Sequence, residues 1–278
     1  MNNLLVSGVS YNKGSESLSD ISFELSEGES LAVVGLPDSG IILLGEIIAG
    51  IKNPDEGIVR MFDEPVSNMT KQAFGYVYDG FPLSSSLNIG DIDKILSSIY
   101  ERWNTKTFNG VCYSFSIPRK KPVKELSPIQ QRKLLLAIAI SHATRLLVLN
   151  DVFNSIKGGM DDDAKEVLQS FLSRNPLRSL VVTTGHFGEV KSLVENFMIL
   201  SRGKCLIKVS KKELENDYTL LECKKDDLKL TEHAVVSFRS EEKSPAKVLI
   251  HNRYLTGKNK KGSPATIDCL EKLAGEYI

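Results

Sequence analysis

The 278-residue chain lacks an excess of either charge: 35 lysines and arginines stand against 35 aspartates and glutamates. With no net field to attract a polyanion, no nucleic-acid partner is expected. Only four cysteines occur (Cys112, Cys205, Cys223 and Cys269), and none shares a C-x-x-C spacing. That speaks against a cysteine metal site or a redox pair and suits a reducing cytoplasm. No apolar run approaches the roughly 18 residues that a membrane-spanning helix needs. The opening "MNNLLVSGVSYNKG" has neither a basic stretch nor a long apolar one, so no secretory signal is expected. On this reading the protein reaches a membrane only by docking on something already there.

What is present fits an α/β protein. Hydrophobic residues make up 41 % of the sequence, and the length allows one large domain with a smaller appendage. Strands are expected at 4–11 and at 21–35, and again around 74–83, 144–151 and 178–185. Between them "IILLGEIIAG" reads as a buried helix ending near Gly50, and residues 91–122 carry helical patterning around Trp103 and Phe108. "SPIQQRKLLLAIAISHA" offers Ser127 as an N-cap, a proline in the first turn and then a long apolar helix. "LLVLN" is apolar on both faces, as in the middle of a parallel sheet. From about 206 the texture changes to lysine-rich and acidic stretches around short β-like runs, and the basic "KNKKG" reads as a solvated loop.

The segment "GLPDSGIILLG" (35–45) has the glycine frame of a phosphate loop, G-x-x-x-x-G-K-[ST], in Gly35 and Gly40, with Ser39 suited to a tight turn. Ile41 and Ile42 occupy the lysine and hydroxyl positions. About 90 residues further on comes "LSPIQQR", followed by the apolar strand. This collinear set resembles the ATP-binding subunits of ABC transporters, in particular the bacterial lantibiotic and multidrug exporter branch, over roughly residues 1–205. The closing "ATIDCLEKLAGEY" is similar to the terminal helix of those subunits.

The resemblance implies an ABC-type nucleotide-binding domain at 1–205: a P-loop NTPase-like core sheet, an N-terminal antiparallel β element and a helical subdomain at about 85–140. Residues 206–278 would form a small α+β appendage. It also implies ATP and Mg²⁺ as cofactors. Tyr11 would stack on adenine, while Gly35, Asp38, Ser39, Gly40, Ile41 and Ile42 would line the phosphates. Asp79 takes the metal-sensing glutamine position; Asn150 and Asp151 take those of the magnesium aspartate and catalytic glutamate. Ser127 and Gln130 keep two places of the L-S-G-G-Q signature, in which Pro128 and Ile129 replace the glycines. Lys157 stands where an aspartate speaks across the dimer, and His186 matches the switch histidine.

Several substitutions work against that chemistry. Opposite charges about 4 Å apart are worth roughly 4 kcal/mol at an effective dielectric of 20, so losing the lysine and adding Asp38 removes several powers of ten in nucleotide affinity. Pro128 has no N–H to offer a phosphate. The residues themselves equally allow a plain strand-to-helix turn at 35–45 and a capped helix start at 127. No metal-ligand set stands out. The leading expectation is a degenerate subunit that binds nucleotide weakly or not at all. It would couple to a membrane permease, an active ATPase subunit or both, at the cytoplasmic face of the membrane. A regulatory module reusing the fold remains open, as does a slow ATPase using Asp151 and His186. Homodimerisation through ATP has little support when both halves of the site are altered.

Overall fold

The computed structural model describes residues 1–152, 161–223, 234–237, 246–254 and 262–270. The chain opens with β1 (Asn2–Lys13) and β2 (Glu16–Ser26), an antiparallel hairpin turning at Gly14, where φ is +65°. β3 (Ser30–Val34) follows, then α1 (Ile41–Ile48), β4 (Glu56–Met61), β5 (Glu64–Pro65), α2 (Asn68–Lys71) and β6 (Phe74–Tyr78). A helical stretch comprises α3 (Ile89–Ile99), α4 (Thr105–Ser114) and α5 (Pro128–Ile140). The remaining core elements are β7 (Leu146–Asn150), α6 (Asp162–Ser173), β8 (Ser179–Thr184), α7 (Phe187–Val190), β9 (Asn196–Ser201) and β10 (Lys204–Ser210). Then come α8 (Lys211–Asp217), β11 (Tyr218–Cys223), β12 (Ala234–Ser237), β13 (Ala246–His251) and β14 (Ser263–Pro264).

The central sheet runs β10-β9-β3-β8-β7-β6, parallel except for the antiparallel edge strand β10. Its strands are buried on both faces, and the two-residue period divides them between two cores. Ala32, Val34, Leu147, Leu149, Leu180 and Val182 face the larger cluster, under α3 to α6. Leu31, Val33, Leu146, Val148 and Val181 face the smaller one, shared with α1 and the β2-β1-β4-β5 sheet.

The run expected as one strand at 21–35 is two, in different sheets. Gly28, at φ +82°, turns the chain between β2 and β3, and a Cβ there would meet the carbonyl of Pro176. The stretch 91–122 holds two helices with a break at 100–104. Asp93, buried between them, accepts hydrogen bonds from Trp103 Nε1 (2.8 Å), Thr105 Oγ1 (2.9 Å) and Asn109 Nδ2 (3.4 Å). Helix α5 starts with Ser127 as N-cap in a capping box with Gln130, as its sequence indicates.

β11, β12, β13 and β14 form a separate antiparallel sheet in the order β12-β13-β11-β14. The change of texture at 206 falls inside β10, a strand of the central sheet. Leu214, Leu249, Ala265 and Leu270 pack into the larger core cluster. Of the expected terminal helix, residues 267–270 are helical and those from 271 on lie outside the described residues, as do residues 258–261 of "KNKKG" and Lys157.

Candidate functional site

Between β3 and α1 the chain forms a short 3-10 turn, Pro37–Ser39, closed by Gly40 at φ +96°. Ser39 folds back on the turn: its N–H (2.9 Å) and its hydroxyl (2.6 Å) both donate to the carbonyl of Leu36. A Cβ on Gly35 would collide with this hydroxyl and with the carbonyl of Leu200, and a Cβ on Gly40 with Leu18. Close packing therefore requires glycine at 35, and the left-handed backbone favours it at 40. Ile41 is fully buried, Ile42 half-buried against the smaller core, and Asp38 exposed. The loop carries no cationic side chain to meet a phosphate.

The turn is held from outside as well. Gly203 N donates to Ser39 O (2.9 Å) and Ser19 N to Gly203 O (2.8 Å), so the hairpin of β1 and β2 and the β9–β10 turn brace the loop. Gly35 N donates to Thr184 O at the end of β8 (3.2 Å).

At the end of β7, Asn150 is buried and every side of its carboxamide is used. Nδ2 donates to the Ile42 carbonyl (3.1 Å) and to the Tyr76 hydroxyl (2.8 Å), while Oδ1 accepts from the Thr183 hydroxyl (2.6 Å). A carbonyl only accepts, so the contact with Ile42 fixes which end of the amide points there. Burial pushes the Tyr76 phenol far above its ordinary range. Tyr76 belongs to a stacked series on β6, with ring centroids 6.1 Å from Phe74 and 5.5 Å from Tyr78. Gly45 makes room: a Cβ there would overlap the Asn150 carboxamide. Asp151 takes a left-handed backbone (φ +53°), its N–H donating to Thr183 O (3.0 Å).

The other expected positions are also engaged. Tyr11 is buried in the smaller core, with Lys52 Nζ 5.9 Å from its ring centroid. That ammonium donates to the carboxylates of Glu16 (2.7 Å) and Glu46 (2.9 Å), which hold its pKa well above the usual value. Asp79 pairs with Arg132 of α5 at 2.7 Å. Ser127 and Gln130 cap each other, Gln130 N donating to Ser127 Oγ (3.3 Å) and Ser127 N to Gln130 Oε1 (3.1 Å). His186 is exposed at the start of α7.

Sequence reasoning missed Tyr76, Thr183 and Gly45, the partners that define what Asn150 does. Alternating aromatics in "FGYVY" and a glycine inside an otherwise apolar helix were the available signals. It also missed buried Lys133, whose ammonium pairs with Asp161 (2.6 Å) and Asp163 (3.3 Å) over the Phe115 ring.

A parallel sheet with a glycine turn from its central strand into a helix, joined to an antiparallel sheet and a helical segment, is a P-loop nucleotide-binding-domain architecture. Comparison with known proteins narrows it. Residues 18–154 match the family described as ABC transporter. The chelated iron transport system membrane protein YfeB of Yersinia pestis is 25% identical over 208 residues, 70% of this chain and 69% of that protein. The ABC transporter ATP-binding protein YxdL of Bacillus subtilis is 26% identical over 185 residues, 60% of this chain and 70% of the relative. The sulfate/thiosulfate import ATP-binding protein CysA 1 of Agrobacterium fabrum is 24% identical, and the match covers 57% of its length. None of these three names specifies a lantibiotic or multidrug exporter.

The fold is shared with a solved ATP-binding subunit of an ABC transporter, at a TM-score of 0.67 and 16% identity over 76% of this chain and 91% of that one. Clostridium perfringens cbiO1, part of the ABC transporter complex cbiONQ, gives 0.60 and 18%, covering 76% and 90%. The loop offers no cationic side chain, the Ser39 hydroxyl donates to the Leu36 carbonyl within the turn, and the Asn150 amide is bonded to Ile42, Tyr76 and Thr183.

Proposed function

We propose that this protein is an ABC transporter subunit that works without hydrolysing ATP and binds nucleotide weakly or not at all. It couples at the cytoplasmic face to a membrane permease, to an active ATPase subunit, or to both. The relatives' names, drawn from iron and sulfate transport systems, support the transport setting. The observation that carries the reading is the Asn150 carboxamide donating to the Ile42 carbonyl. An aspartate there, the residue that orients magnesium in working enzymes, would face that carbonyl with a repelling oxygen.

Thermal unfolding with and without millimolar Mg·ATP tests it. A ligand at about 100 times its dissociation constant stabilises by roughly 2.7 kcal/mol, a shift of several degrees for a chain of this size. The expected result is no shift; a clear one overturns the reading.

A further inference from the structure

A groove of about 790 Å³ opens between α4 and α6, beside the end of α5. It lies by His142 and Ala143, which precede β7, and Arg178, which precedes β8; the glycine turn follows β3, at the opposite ends of the parallel strands. The inference therefore stands independently of the nucleotide reading.

Helix α4 presents Thr107, Gly110, Val111 and Ser114 to the groove, spaced as one helical face. A Cβ on Gly110 would meet nothing within 4 Å. Small side chains on an open face let another helix backbone come close. Across the groove α6 contributes Glu166, Val167, Ser170 and Phe171 from its own single face.

The charges are segregated. Lys133 reaches Phe115, just after α4, and Asp161 and Asp163 at the start of α6, so the end of one helix lies beside the beginning of the other. Arg102 and Lys106 at the start of α4 therefore share one end of the groove with Arg174 and Arg178 at the end of α6. Asp163 and Glu166 mark the other end. Among the described residues, no carboxylate pairs with Arg102, Lys106 or Arg174. Arg178 donates to the Phe171 carbonyl (2.5 Å) and stacks over its ring at 4.0 Å, and among the described residues no carboxylate pairs with it. Burial and the nearby charge of Arg174 both lower its pKa, as happens where cations crowd together.

We propose that this groove is the docking site for an amphipathic helix of a partner protein. That helix carries carboxylates on the turn meeting Arg102, Lys106, Arg174 and Arg178, and an apolar or small-residue stripe over α4. The stretch from Asp163 to Arg174 matches about three turns of such a helix. Four cations against one acidic turn supply orientation and a salt-sensitive association rate.

The probe is a stapled helical peptide of about 16 residues with three glutamates at one end, an alanine-leucine stripe and lysines at the other, titrated by fluorescence anisotropy. Its control replaces the glutamates with glutamine. The glutamate peptide is expected to bind at least about tenfold more tightly than the control to the intact chain. Lys106→Glu with Arg174→Glu should abolish that preference and transfer binding to a peptide whose glutamates are lysines. Gly110→Leu places a large side chain in open space, so it should block the peptide while leaving the melting temperature unchanged or raised. No binding, or binding indifferent to both the charge reversal and Gly110→Leu, overturns the proposal. So does inorganic phosphate displacing the peptide at equal affinity, which would mark a small-anion site. Self-association that uses the same residues, seen by sedimentation, would assign the groove to a second copy and likewise overturn it.

Discussion

At the scale of single residues, the uncharged side chain at position 150 is legible in the sequence, but what it holds together is not. "LLVLND" shows an asparagine where the resemblance implies a metal-orienting aspartate; only the fold reveals that its amide joins α1, β6 and β8. Restoring aspartate should therefore harm the protein. Asn150→Asp leaves a buried charge facing a carbonyl, at a cost of about 3 kcal/mol. Urea unfolding at neutral pH should show that loss, and it should shrink as pH falls toward about 4, where the carboxyl is protonated in both states and can donate again. A second residue invisible in the sequence is His142, stacked 4.1 Å from Tyr100 and bonded through Nδ1 to the Gln72 carbonyl (3.1 Å). Burial holds its pKa down at about 4, from an ordinary value of 6.5. The unfolded chain then binds a proton more readily, so the stability is complete above pH 6.5 and is lost as pH falls toward 4, by roughly 3 kcal/mol. Denaturation midpoints measured across that window should fall, and His142→Phe should flatten the slope.

Among elements, those with strong local signals were readable. The cap, proline and apolar run of α5 and the two-sided apolar pattern of β7 need no tertiary knowledge. The split of 21–35 was not readable, because Gly28 earns its turn from the carbonyl of Pro176, remote in sequence. Helix α1 hides a similar long-range constraint. Gly→Ala inside a helix usually stabilises by about 1 kcal/mol. In α1 the sign should reverse, since a Cβ on Gly45 overlaps the Asn150 side chain. Gly45→Ala should lower the denaturation midpoint, and Asn150→Ala in the same chain should recover part of the loss, a non-additivity that a double-mutant cycle reads directly.

For the whole molecule, the architecture could be read from the order of strand, glycine turn, helix and late apolar strand, because each landmark is local. The extent of the core could not: Leu249 and Leu270, in the stretch set apart by its polar texture, pack into the same cluster as Ala32 and Leu147. The bracing of the glycine turn is another such property, built from Ser19, Ser39 and Gly203 across three distant parts of the chain. A turn held only by its own residues opens locally, so its amides and those that touch it trade hydrogen with solvent much faster than those of the strands beside it. Here the N–H groups of Ser19 and Gly203 are each locked onto a neighbouring segment. Amide exchange should find both as slow as Val33 in β3, with or without nucleotide. The turn then keeps the clock of the core: it lets go only when the domain does.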